Sequence, residues 1–171
     1  MKKSSSDPMA VEILEADLSD PEHQEAVLAL VDAYAADSMG NGRPLDPNVR
    51  QELIPGLRQH PATLIFLARC HRDYIGIAVC FIGFSTFAAR PLVNIHDLAV
   101  LPAFRKQRVG RRLLAAIEEK AVKMNCCKIT LEVLENNRTA MRLYRNAGFS
   151  QAVYTEEAGG ALFYAKPLMK R

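Results

Sequence analysis

The chain has 171 residues, 49% of them hydrophobic and 24% charged, which is the length and apolar content of one ordinary domain with a real core. No apolar run approaches the roughly 18 residues of a membrane-crossing helix, so a soluble protein is expected. The net charge of +3 is too slight to imply nucleic acid, and Cys70, Cys80, Cys126 and Cys127 lack the Cys-x-x-Cys spacing of a zinc site or a disulfide framework.

Met1 to Pro8 carries two lysines and then turns polar, without the apolar stretch of a secretory signal. Residues 1–10 are therefore expected to be a disordered leader and 11–171 a single domain, cytoplasmic, with its thiols free and buried. Val11 to Leu18 sets apolar residues against acids and reads as a half-buried strand. Asp20-Pro21 announces a helix, because Asp accepts an orphan N–H at the cap and proline at the first helical position loses none it needed. Val27, Val31 and Tyr34 make its inward stripe. Glycines and a proline turn Met39 to Pro44 into a loop. Asp46-Pro47 repeats the start signal for a second helix, with Leu53 and Leu57 on one face, which Pro55 is expected to kink or split. Thr63–Cys70 and Ile75–Phe84 are β-branched and aromatic runs around His71-Arg72-Asp73-Tyr74, hence a hairpin. Gly76 and Gly83 mark bulges or close approach. Ala88 to Pro91 then turns the chain into a third antiparallel strand.

That strand, Leu92 to Val100, runs through Leu101-Pro102 into Arg105 to Arg112, where five of eight residues are Lys or Arg. A helix begins near Val109, with Leu113, Leu114, Ile117, Ala121 and Met124 on one face. Strand, basic turn with one glycine, helix: such a turn leaves backbone N–H groups without partners at the positive end of a helix, and phosphate is their natural ligand. The run lacks the Gly-Lys-Ser/Thr ending of a P-loop and the three glycines of a dinucleotide fingerprint. The plain alternative is a solvated basic surface.

Lys128 to Leu134 reads as a further strand, parallel to the Ile95 strand or splayed from it, which would open a cleft for an extended cofactor. Asn137 to Ala147 forms a helix stopped by Gly148. Ser150–Tyr154 and Ala161–Lys166 read as closing strands around a Glu156–Gly160 turn. The fold class is thus α/β (α+β): one mixed, mostly antiparallel sheet of about six or seven strands, flanked by about four helices.

Arg105 with Gly110 ahead of a helix, then an Asn-x-x-Ala-x-x-Leu-Tyr helix (Asn137 to Tyr144) ending in Gly148-Phe149, resembles the GNAT superfamily of N-acetyltransferases over about the last half of the chain. The resemblance implies acetyl-CoA as cosubstrate and no metal. It implies that Arg105 and the N–H groups of Lys106, Gln107, Arg108, Val109, Gly110 and Arg111 face the pyrophosphate. Leu98, Ala99 and Val100 would follow the pantetheine arm, Leu98 and Val100 by backbone, with Asn137 beside it. Tyr144 would protonate the departing thiolate. Phe84-Ser85-Thr86-Phe87 with Ile95-His96-Asp97-Leu98 also resembles the diamine acetyltransferase branch, where an acidic residue stands in the place of His96. Met39 to Leu45 corresponds to the acceptor wall that varies most with substrate; a surface loop is the alternative. Family members usually carry glycine where this chain has Lys106 and Arg108, and Arg108 is expected to fit with a helical φ and its side chain swung clear of the phosphate or around it.

Amide formation from a thioester needs a neutral amine, donors for the oxyanion and a proton for the thiolate. An alkylamine with a pKa near 10.4 is almost wholly protonated at neutral pH, so a base is needed. His96 is the candidate, since imidazole is the usual general base of neutral-pH chemistry. A structural histidine is the alternative, and Asp97 and Glu132 are lesser candidates for the base. Tyr144 is either the acid or core packing, since Ala140, Leu143 and Ala147 share its face. Asn137 is also placed to cap its helix. The N–H near Val100 would meet the oxyanion. The implied acceptor is a small-molecule or peptide amine, with no nucleic acid or membrane partner, and a homodimer is common among relatives. A non-catalytic acyl-CoA sensor is the rival reading; nucleic-acid binding through Arg105 to Arg112 ranks last, because only Phe104 lies near for stacking.

Overall fold

The computed structural model describes residues 10–153, 157 and 160–168. The expected leader lies outside them apart from Ala10, as do Tyr154 and most of the Glu156–Gly160 turn. Val11–Glu15 (β1), Thr63–Cys70 (β2), Asp73–Ser85 (β3) and Arg90–Val100 (β4) pair antiparallel in chain order, and Ile129–Leu131 (β5) joins β4 in parallel. Four helices accompany this five-stranded sheet: Pro21–Ala36 (α1), Pro47–Gln59 (α2), Val109–Lys123 (α3) and Arg138–Asn146 (α4).

β2 and β3 are apolar almost without interruption because both faces are covered. Phe66, Ala68, Ala78 and Cys80 join Val93 and Ile95 of β4 beneath Leu113, Leu114 and Ile117 of α3. Ile65, Leu67, Ile77 and Val79 lie against Val27 and Leu30 of α1 and Ile54 and Leu57 of α2. Fully burying such a side chain contributes about 1.5–3 kcal/mol. α1 begins as its sequence dictates, with the Asp20 carboxylate accepting the Glu22 N–H at 2.9 Å. α2 runs unbroken through Pro55, whose ring is on the exposed side, so the expected split does not occur. Burial pushes the Cys80 thiol up to about 12, and Cys70, Cys80, Cys126 and Cys127 are all free.

The expected six or seven strands become five among the described residues. Among the described residues beyond Gly148, whose φ of 88° ends α4, Val153 and Gly160 form a single bridge, extended by the Ala161 N–H to the Ala152 carbonyl at 2.9 Å. Leu162, Phe163 and Tyr164 are exposed. Three large apolar residues in succession offer no single face to bury, and β5 presents a ladder of only three residues. No described helix is long and apolar enough to cross a membrane.

Candidate functional site

The site is organised by one extra residue. Val79 pairs with Asp97 and Cys80 with Ile95, so His96 is the surplus residue of a bulge in β4. Before it, Val93 and Ile95 face the α3 core; after it, Leu98 and Val100 do, while Ala99 and Leu101 turn to the α1–α2 side. Unbroken alternation would have put residues 93 to 101 of odd number on one face.

The backbone switches with the side chains. The Val93 N–H donates toward β5, to the Lys128 carbonyl at 3.2 Å, whereas the Leu101 N–H donates toward β3, to the Ile75 carbonyl at 2.9 Å. By alternation Ala99 also points at β3, and the amide edges of Leu98 and Val100 point the other way. On that side β5 has already stopped, since its last pair is Ile95 with Leu131. Of the two arrangements the sequence left open, parallel pairing is found over these three residues, and the bulge turns the Leu98 and Val100 edge to the side where that pairing has ended.

Past β4 a single 3-10 turn, Pro102–Phe104, leads into the basic segment. Among the described residues no N–H from Lys106 to Arg111 finds a backbone partner. The first three belong to the turn and the last three to the opening of α3. Lys106 and Arg108 have φ of 62° and 64°, with Gln107 between them at negative φ. The helical φ expected of Arg108 is thus wrong: both places where glycine is usual in the family hold left-handed backbone here, at about 1–2 kcal/mol each for a residue with a Cβ. Successive N–H groups in such a turn form an anion-binding concavity at the positive end of α3. Gly110 lets α4 close over it, because a Cβ there would stand 3.0 Å from Leu143 Cδ2.

Arg105 does not hang free. Its Nε donates to the Val100 carbonyl at 2.9 Å and its Nη2 to Asp37 Oδ2 at 2.6 Å. The Arg105 hydrogen bond, with that from the Met39 N–H, holds the Asp37 carboxyl below its usual range.

Tyr144, on α4, is buried among the α3-side core with its ring edge-on to Phe149 at 5.9 Å between centroids. Burial, and then the neighbouring Tyr34, push its phenol up to about 12. Tyr34, on α1, is raised by burial and by Asp97 and Asp37. Tyr34 therefore stands within the electrostatic reach of both Tyr144 and Asp97. Sequence reasoning placed Tyr34 only in the inward stripe of α1, and nothing in its spacing sets it apart from core.

Asp97 is half-buried, and burial raises its carboxyl, with the His96 charge working against the rise. His96 itself is exposed and packs against Phe81. Glu132 is exposed on the loop after β5. Asn137 is the cap of α4, its Oδ1 accepting the Ala140 N–H at 3.1 Å. Two surface cavities, of about 370 and 610 Å³, lie along α2, and none of the candidate residues lines them. No cluster of three His, Cys, Asp or Glu residues suited to a metal occurs among the described residues.

A mixed five-stranded α/β sheet, with an N–H-rich basic turn leading from the end of β4 into α3, defines an α/β class of single-domain proteins. The chain belongs to the acetyltransferase (GNAT) family, whose sequence profile matches residues 27–149. It is 32% identical over 95 residues to N-alpha-acetyltransferase 30 of Dictyostelium discoideum, spanning 56% of this chain and 50% of that protein. To the thialysine N-epsilon-acetyltransferase of Mus musculus it is 26% identical over 125 residues, 73% of this chain and 67% of that one. The chain thus spans about half of the first relative and about two thirds of the second. Among solved structures, a probable acetyltransferase superposes with a TM-score of 0.77 at 18% identity, covering 94% of this chain and 99% of that one. An aminoglycoside N-acetyltransferase in complex with CoA superposes with a TM-score of 0.69, also at 18% identity, over 92% and 95% of the two chains. Both likenesses are of fold.

Proposed function

We propose that residues 11–171 form one catalytic domain that moves the acetyl group of acetyl-CoA to a primary amine by direct attack on the thioester. The observation that carries this reading is the bulge at His96. It turns the Leu98 and Val100 edge to the side where β5 pairing has ended, a few residues ahead of the unpartnered N–H groups from Lys106 to Arg111. The family supports acetyl transfer, the CoA-bound structure of the same fold supports the cosubstrate, and the names of the relatives, thialysine and aminoglycoside acetyltransferases among them, support an amine acceptor.

The cosubstrate supplies an activated acyl carbon and a thiolate leaving group. The turn Lys106–Arg111 would hold its diphosphate, the Leu98 N–H and C=O and the Val100 N–H its amide-bearing arm, and Asn137 would stand beside that arm. The amine nitrogen forms the new bond to the acyl carbon as the carbon–sulfur bond breaks. Asp97 takes the proton that the amine loses, a task for which a raised carboxyl is better suited than an ordinary one. His96, exposed beside it, gives that proton a way to solvent. Tyr144 gives its proton to the thiolate; at about 12 its phenol is protonated throughout the working range. Tyr34, within the electrostatic reach of both, is placed to help return what Tyr144 gives up.

The test is an acceptor screen that reads free thiol from acetyl-CoA over polyamines, amino acids, aminoglycosides, peptides and protein lysines. Thiol release with a mass-identified amide establishes the reading. Tight CoA binding by calorimetry with no release across the panel would leave an acyl-CoA-binding module instead.

A further inference from the structure

Asp37 closes α1 and then does three more things. Its N–H bonds the Tyr34 carbonyl at 3.0 Å, and its own carbonyl receives the Gly40 and Gly42 N–H groups at 2.9 and 3.1 Å. Oδ1 accepts the Met39 N–H at 2.9 Å, while Oδ2 takes Arg105. A single carboxylate thus ties the end of α1 and the loop after it to Arg105, and through the Arg105 Nε to the Val100 carbonyl at the end of β4. The pair is unequally sheltered: the Asp37 side chain is 16% exposed and that of Arg105 48%.

This arrangement uses Arg105 differently from a phosphate ligand. Its charge is met by Asp37 and one of its donors by Val100. The residues just after Arg105 form the costly part of the turn, left-handed at Lys106 and Arg108, and such backbone persists only where its surroundings fix both ends. α3, anchored by buried Val109, fixes one end. We propose that Asp37 is a positioning residue that fixes the other, holding Arg105 as a strut between α1 and Val100 so that the N–H groups from Lys106 onward keep their shape. The proposal rests on the acetyl-CoA reading of that turn.

The two roles of Arg105 predict opposite signs. If Arg105 is a strut, D37N weakens CoA binding in calorimetry and raises the KM for acetyl-CoA by about tenfold or more, with kcat nearly unchanged. If Arg105 grips phosphate, D37N frees it, and CoA binds as tightly as before or more tightly; that result would overturn the proposal. A double-mutant cycle gives a second reading: D37N/R105Q should bind CoA no worse than R105Q alone, and additive losses would also overturn it. D37E, which keeps the carboxylate, should recover most of the lost affinity, and it carries the test should D37N fold poorly; D37E as weak as R105Q counts against the strut. A wild-type chain that does not bind CoA would remove the acetyl-CoA site itself and the strut with it.

Discussion

The His96 ring lies edge-on to the ring of Phe81, 5.5 Å between centroids, on the side of the sheet that α1 and α2 cover. Asp97 is on this side as well, since it is Tyr34 of α1 that feels its charge. The two residues differ in shelter, His96 being exposed and Asp97 half-buried. Asp97→Asn is expected to lower kcat/KM by about 10²–10⁴, the usual worth of a general base, and His96→Ala by about tenfold or less. Because burial raises the Asp97 carboxyl, kcat/KM should fall on the acid side at a pH above the ordinary carboxylate value of 3.8. A pH profile that keeps this limb in Asp97→Asn would remove Asp97 as the base.

The same burial has a stability consequence. A carboxyl raised by folding holds its proton more tightly in the native state than in the unfolded one, so its contribution is fully present below the unfolded value of 3.8 and lost as pH rises through the folded value. At neutral pH the charged form is the costly one. Asp97→Asn should therefore raise Tm at neutral pH, and the gain should shrink as pH falls toward and below 3.8. Thermal melts across that range read the effect directly, and a variant less stable than wild type at neutral pH would contradict it.

The elements were legible where side chains alone decide them. Asp20-Pro21 capped α1 as expected, and Leu113, Leu114, Ile117 and Ala121 marked the buried stripe of α3. The intervening helix allowed either parallel pairing of β4 with β5 or strands set apart, and the structure has the first. Pro55 does not split α2, because an exposed proline can sit within a helix held by packing on its other face. The bulge at His96 has no signature, since it depends on the register between β3 and β4 rather than on either strand. For the same reason the side of the sheet that His96 and Asp97 face was open in the sequence. Arg108 was expected to be helical because a residue with a Cβ usually avoids positive φ; the turn overrides that preference.

In the proposed reaction Tyr144 is the acid. Tyr144→Phe keeps the ring and its contact with Phe149 but removes the proton, so turnover should fall by about 10² or more while the KM for acetyl-CoA stays nearly constant. Burst and steady-state measurements on the same acceptor would separate chemistry from product release. An unchanged kcat would return Tyr144 to the core, where its burial already places it.

Gly110 controls the seat of α4. A Cβ at this position would meet Leu143 Cδ2 at 3.0 Å, a contact that a flexible side chain can relieve for alanine but not for a branched residue. Gly110→Val is expected to cost about 1–3 kcal/mol by overpacking, visible as a lower Tm, and to lower kcat because Tyr144 follows Leu143 on the same helix. Gly110→Ala should lose much less of both. Equal losses in the two variants would show that the glycine is needed for backbone approach to a ligand and not for helix packing.

Arg108 is left-handed at φ 64°, caps α3 without a side-chain hydrogen bond, and is exposed. Glycine at this position removes a steric cost of about 1–2 kcal/mol, offset in part by the greater freedom glycine gives the unfolded chain. Arg108→Gly is therefore expected to stabilise by about 0.5–1 kcal/mol, a rise in Tm of about 1–4 °C for a domain of this size. If the N–H groups hold the diphosphate, removing the side chain leaves them in place, and CoA should bind as well as before or better. A loss beyond about tenfold would mean that the Arg108 guanidinium grips phosphate itself, since one charge-assisted contact is worth that much. Measuring Tm and CoA affinity on the one variant keeps the two effects apart, because relief of backbone strain moves the first and loss of a phosphate contact moves only the second.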